Sequence, residues 1–292
     1  MVRKIPGHGT RLSYYDFGRT TVQACQGDPR FSYCAYVPES YEEEGTQSYP
    51  LLVILHGTLR DNAAYREAFI NLAERCQLIL LAPLFPAGIT APGELNSYKF
   101  LRAGDLRYDE ILLDMAAEMR AKYRISGPRM SLFGFSGGGH FAHRFLYAQP
   151  EALEAVSIGA PGIVTLLDDS YDFWAGTRDF AKHFGKPLNV PAMRDVAVQT
   201  VVGGDDTETW EIAVPRESRL WMPGADAMGA NRIDRIKALG RSLEAQRIAV
   251  RCDVVPGVAH DYARVAPAVE DFFTHHFTRS RRGTVAETEM QP

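Results

Sequence analysis

Between Arg129 and Ala148 the chain reads RMSLFGFSGGGHFAHRFLYA, an apolar run that passes through four glycines and one serine into a segment of helical spacing. Glycine weakens regular structure by roughly 0.5–1 kcal/mol relative to alanine. Gly134, Gly137, Gly138 and Gly139 therefore imply bends or close approaches that no larger residue permits. Gly134, Ser136 and Gly138 also satisfy G-x-S-x-G. Between a strand and a helix, that spacing describes a sharp turn projecting a serine hydroxyl above the carboxyl edge of a sheet. The helix N-terminus adds free N–H donors and partial positive charge beside the hydroxyl. A glycine turn that merely connects two elements is the competing reading.

The rest of the chain supplies a sheet for such a turn. Short runs at Pro50–Gly57, Leu78–Phe85, Arg129–Phe135, Ala152–Ala160, Val196–Gly204 and Ala249–Gly257 read as strands, and most are nearly continuously apolar, the pattern of strands covered on both faces. Arg30–Pro38 alternates and is rich in aromatics, as an antiparallel strand near a sheet edge would be. Helical spacing lies between the runs, including DNAAYREAFINLAERC, DLRYDEILLDMAAEMRAKY and DYARVAPAVEDFFTHHF. Regular alternation predicts a mostly parallel sheet wrapped by helices, in one domain over residues 1–278. Residues 162–191 are long, aromatic and broken by Gly and Pro, and are expected to form a short cap over a cleft. Residues 279–292 are expected to be a polar tail.

A serine hydroxyl at its ordinary pKa is a poor nucleophile and needs a base held by a third group. After such a turn the partners follow in the order acid, then histidine, each just past a strand. His260, in VVPGVAHDY, meets that requirement. The acid lies in VVGGDDTET, where Asp205 and Asp206 compete; adjacent side chains point in different directions, so only one can face the histidine. Asp206 is preferred. Earlier, LHGT ends a strand where a backbone N–H from Thr58 or Leu59 can meet a substrate carbonyl, with Gly137 as second donor. His56 is expected to bond loop backbone, and His140 and His143 to pack or point away from the serine.

At 292 residues, 46% hydrophobic and 23% charged, the chain has ample core. A net charge of −4 gives no electrostatic reason to expect nucleic acid or a membrane as partner. No His/Asp/Glu spacing suggests a metal and no glycine loop suggests a nucleotide, so no cofactor is expected. Cys25, Cys34, Cys76 and Cys252 are scattered, as reduced core residues would be, although export would permit a Cys25–Cys34 bridge. The basic start MVRK is followed by no apolar run, and the cytoplasm is the expected compartment.

From LHGT to GVAHDY the chain resembles the α/β-hydrolase superfamily; LLVILHGT, LFGFSGGGHFAHRF and VVGGDDTET resemble bacterial esterases of the polyhydroxyalkanoate depolymerase and feruloyl esterase group. The resemblance implies about eight strands with one antiparallel, no cofactor, and a Ser136, Asp206 and His260 triad with Thr58 and Gly137 at an oxyanion hole. The expected activity is hydrolysis of a small-molecule carboxylic ester through an acyl-enzyme. Trp174, Tyr98 and Leu59 are candidate substrate contacts, with Lys99 beside Tyr98 in the same long loop. A peptidase or amidase, an acyltransferase, and a non-catalytic ligand-binding homologue are the alternatives.

Overall fold

The computed structural model describes residues 11–289. Residues 1–10, where no export signal is expected, lie outside the described residues. Nine strands form one sheet. They are β1 (Gly18–Arg19), β2 (Gln23–Ala24), β3 (Ser32–Val37), β4 (Leu51–Leu55), β5 (Ile79–Leu84) and, after a separate small hairpin of β6 (Arg102–Ala103) and β7 (Leu106–Arg107), β8 (Met130–Phe135), β9 (Leu153–Gly159), β10 (Ala197–Gly203) and β11 (Val250–Val255). The order across the sheet is β1-β3-β5-β4-β8-β9-β10-β11, with β2 also on β3. From β5 to β11 neighbours run parallel; β3 runs antiparallel to β5, and β1 and β2 antiparallel to β3. The antiparallel edge thus has three strands where one was expected. The extra two are two-residue strands too short to carry an alternation pattern.

Helices α1 (Asn62–Ala68), α2 (Ile70–Cys76), α3 (Tyr108–Lys122), α4 (Gly137–Ala148), α5 (Phe180–Phe184), α6 (Val190–Arg194), α7 (Arg232–Ala245) and α8 (Tyr262–Glu289) accompany the sheet. The sheet is covered on both faces, which is why all five residues of β4 are apolar and wholly buried. The single helix expected over 61–76 is two. Phe69 leaves helical geometry between α1 and α2, and its buried ring packs 5.1 Å from that of Phe133 in β8. At the other end, α8 continues as helix through Glu289, past the boundary expected at 278. Arg and Glu at those positions are adequate helix formers.

The glycines around Ser136 explain themselves by contact. A Cβ on Gly138 would stand 2.5 Å from the Leu55 carbonyl oxygen and 2.9 Å from that of His56. On Gly134 it would overlap the Gly138 carbonyl, and on Gly139 the Gly159 carbonyl. Strands β4, β8 and β9 therefore touch α4 backbone to backbone. Gly134→Ala is expected to cost about 3 kcal/mol, since backbone must shift to admit the methyl. Gly240, inside α7 with open space where its Cβ would go, gives the opposite case: Gly240→Ala is expected to gain about 0.5–1 kcal/mol. Denaturant unfolding of the two variants, read for opposite signs, checks the argument.

Candidate active site

Ser136 stands between β8 and α4 with φ 57° and ψ −115°, a conformation costly for any residue with a side chain. It is held there by two backbone bonds. Its N–H donates to Gly159 O at 2.9 Å, and its carbonyl accepts from His140 N at 3.0 Å. The side chain faces the turn after β4: a Cβ on Gly57 would lie 3.6 Å from Ser136 Cβ. Thr58 shares this corner. A Cβ on Gly137 would stand 3.1 Å from Thr58 N, so the two backbones run side by side at the mouth of α4. The first N–H groups of a helix have no intrahelical acceptor. Such a pair can hold an oxygen that gains negative charge.

His56, just before, has both ring nitrogens taken by backbone. Its Nε2 accepts from Phe85 N at 3.1 Å and its Nδ1 bonds Gly57 O at 2.8 Å, tying the β4 turn to the end of β5. Burial holds its pKa down at about 4.

The loops after β10 and β11 are sewn together. Gly204 N donates to Val255 O at 2.7 Å and Asp205 N to Val258 O at 2.8 Å; a Cβ on Gly203 would overlap the carbonyls of Val258 and Ala259. This contact brings Asp206 to His260: Nδ1 of the ring lies 2.6 Å from Asp206 Oδ2. An ionised carboxylate only accepts, so Nδ1 carries the proton and Nε2 is free to take one. Asp206 is buried, whereas Asp205 is exposed. The His260 ring packs 4.8 Å from that of Phe135, the residue before the serine, which sets the imidazole over the same end of β8.

Arg232, at the start of α7, was not singled out by any sequence pattern. It is 2% exposed, and its guanidinium lies 3.2 Å from Asp206 Oδ1 and 2.6 Å from Glu211 Oε2. Asp206 is thus gripped on both oxygens. Only the lone N-cap Asn231, whose side chain accepts from Asp234 N, was a local signal that a helix begins there.

Ser136 opens into a cavity of about 140 Å³ whose walls include Thr58, Asn96, Lys99, His140, Ile212 and Arg232. Much of that wall comes from residues 204–231, a long irregular connection between β10 and α7. The expected cap, residues 162–191, gives the cavity only Gly162 and Ile163. Its aromatics pack on one another instead, with Phe180 and Phe184 stacked at 4.4 Å and Phe173 edge-on to Phe184 at 5.3 Å. Trp174 lines a neighbouring hollow rather than the Ser136 cavity. Its indole N–H is taken by Leu220 O at 2.9 Å, which ties the ring to the 204–231 connection. Tyr98 is buried beneath Gly137 with its hydroxyl against that glycine, and its neighbour Lys99 reaches the cavity. Leu59 is 94% exposed beside Thr58. His140, expected to pack or point away, lines the cavity, with Nε2 accepting from Gly162 N at 2.8 Å and Ile163 N at 3.2 Å. One helical turn brings residue i+4 back beside Ser136. His143 does pack, bonding Gly139 O and Thr165 N.

Among the described residues no helix is long and apolar enough to cross a membrane, and no group of His, Cys, Asp and Glu is placed to hold a metal. None of the four cysteines is in a disulfide; three are buried and Cys252 is exposed.

No protein-family profile and no curated protein sequence matches the chain. Solved structures do. LpqC, a poly(3-hydroxybutyrate) depolymerase from Bordetella parapertussis, is 26% identical over 83% of each chain with a TM-score of 0.67. Poly(aspartic acid) hydrolase-1 from Sphingomonas sp. KT-1 is 20% identical, with 87% of this chain and 97% of that one covered and a TM-score of 0.70. A ferulic acid esterase from the anaerobic fungus Anaeromyces mucronatus is 15% identical over 94% of each chain with a TM-score of 0.51. These neighbours share the α/β-hydrolase fold, and that is the fold of this chain.

Proposed function

We propose that this chain, an α/β hydrolase by fold, cleaves carboxylic esters by acyl transfer from Ser136 to water. The observation that carries the reading is the Asp206–His260 pair, 2.6 Å apart, presented over the end of the strand whose next residue is a strained serine. In this reading His260 Nε2 takes the Ser136 proton as Oγ attacks the ester carbonyl, forming a tetrahedral intermediate. Asp206 accepts from Nδ1–H, fixing the tautomer and stabilising the imidazolium. The backbone N–H groups of Thr58 and Gly137 receive the oxyanion. His260 then protonates the departing alcohol, the intermediate collapses to an acyl-serine, and a water activated by the same imidazole releases the acid.

The small cavity favours a short acyl group, and the similarity to a poly(3-hydroxybutyrate) depolymerase and a ferulic acid esterase agrees with an ester substrate. Incubation with a fluorophosphonate probe should modify Ser136 alone, located by peptide mass. Parallel assays on p-nitrophenyl esters and peptide anilides should show turnover of the esters. Absence of labelling together with inert esters would leave a ligand-binding homologue as the better reading. Cleavage confined to the anilides would make the chain an amidase.

A further inference from the structure

We propose that the Lys99 ammonium selects esters whose acyl part carries a carboxylate. This deepens the ester-hydrolase reading and rests on it. Two cationic side chains line the Ser136 cavity, and their surroundings differ. The Arg232 guanidinium is matched by Asp206 and Glu211. Lys99 reaches one neutral acceptor, Asn96 Oδ1 at 2.8 Å, and makes no ion pair with any carboxylate among the described residues. An ammonium has three protons to donate, and stripping its water without an anion in exchange is unfavourable.

The nearby acids are engaged. Glu94 bonds the backbone N–H of Asn96 and of Ser97 and the Ser97 hydroxyl, and Glu211 holds Arg232. Arg60, whose guanidinium sits 4.8 Å above the Tyr98 ring, spends its donors on the carbonyls of Thr58, Phe85 and Leu95 and adds positive charge to the same corner. Burial pushes the Lys99 pKa down to about 8, so it is cationic at neutral pH yet poorly solvated.

The ammonium is also close to the chemistry. A Cβ on Gly137 would lie 3.2 Å from Lys99 Cε, so the charge ends beside the backbone proposed to hold the oxyanion. Two further donors on this wall lack partners. Arg232 Nε is one. The other is His140 Nδ1, which must carry the ring proton because Nε2 accepts from two backbone N–H groups. A neutral alkyl acyl chain would leave the Lys99 ammonium unpaired. A carboxylate a few bonds from the scissile carbonyl would meet it.

The test compares p-nitrophenyl hydrogen succinate with p-nitrophenyl butyrate, two esters of equal acyl length that differ in a terminal carboxylate. The wild-type protein should favour the succinate by about tenfold or more in kcat/KM, the scale of one charge-assisted contact. Lys99→Met should remove most of that ratio, and Lys99→Arg should keep part of it. Free succinate should inhibit butyrate hydrolysis competitively where succinamide does not, a measurement that needs no variant. Equal turnover of both esters by the wild type, or equal slowing of both by Lys99→Met, overturns the proposal while leaving the hydrolase reading in place. The latter result would put the ammonium on the oxyanion instead. Failure to hydrolyse either ester, with Ser136 unlabelled, removes both.

Discussion

Ser136→Ala will give a folded protein whose ester hydrolysis is lower by about 10³-fold or more in kcat, because the atom proposed to attack is gone while the rest of the site remains. Stability should stay within about 0.5 kcal/mol of wild type, for reasons visible in the turn. The strained φ of 57° is imposed by backbone bonds to Gly159 and from His140, which alanine keeps. Alanine is no worse than serine in that region, since both carry a Cβ. Steady-state turnover of a p-nitrophenyl ester, fluorophosphonate labelling and a urea melt measured on one preparation give the answer. A variant that melts normally and still turns over the ester at wild-type rate would exclude Ser136 as the nucleophile. A variant that is inactive because it no longer folds would instead show that the hydroxyl supports the turn.

What could be read from the residues alone, and what could not, divides along a physical line. The apolar runs of β4, β5 and β8–β10 are short and continuous because both faces of the sheet are covered there, and that pattern is local, whereas β11, at the sheet edge, is largely exposed. The glycines at 134, 138 and 139 were legible as demands for close approach, since no other residue type fits where backbones touch. Choosing Asp206 over Asp205 depended on the register of a turn, which is decided by Gly203 packing on the carbonyls of Val258 and Ala259, some fifty residues later in the chain. Arg232 had no legible signal, and Lys99 had only its place beside Tyr98 in a long loop. One begins a helix and the other sits in a short 3₁₀ turn after a loop, and each matters only through what folds against it. The aromatic run of residues 162–191 is ambiguous for a related reason. Large rings satisfy each other as readily as they satisfy a ligand, and here Phe173, Phe180 and Phe184 do so. The less conspicuous residues 204–231 build the cavity wall instead.

The second large effect belongs to the acid. Asp206→Asn is expected to lower kcat by about 10³–10⁴-fold while Asp205→Asn changes it by no more than about twofold. The asparagine cannot serve both neighbours. With its amide oxygen toward His260, its NH₂ would face the Arg232 guanidinium, donor against donor, where Oδ1 now accepts at 3.2 Å. With the amide turned the other way, NH₂ would donate to His260 Nδ1 and force the ring proton onto Nε2, where it blocks acceptance from serine. The electrostatics of Arg232 favour this second arrangement, so the variant should hold the imidazole in place in its unproductive tautomer. Arg232 keeps Glu211 at 2.6 Å but loses its buried anion, and a fall of roughly 1–3 kcal/mol in unfolding free energy should accompany the rate loss. The two readouts separate the roles of the carboxylate. A stability loss without a rate loss would make Asp206 only the counter-ion of Arg232. A rate loss in Asp205→Asn with Asp206→Asn unaffected would move the acid to the exposed neighbour, and the 2.6 Å contact with His260 would then have no part in the chemistry.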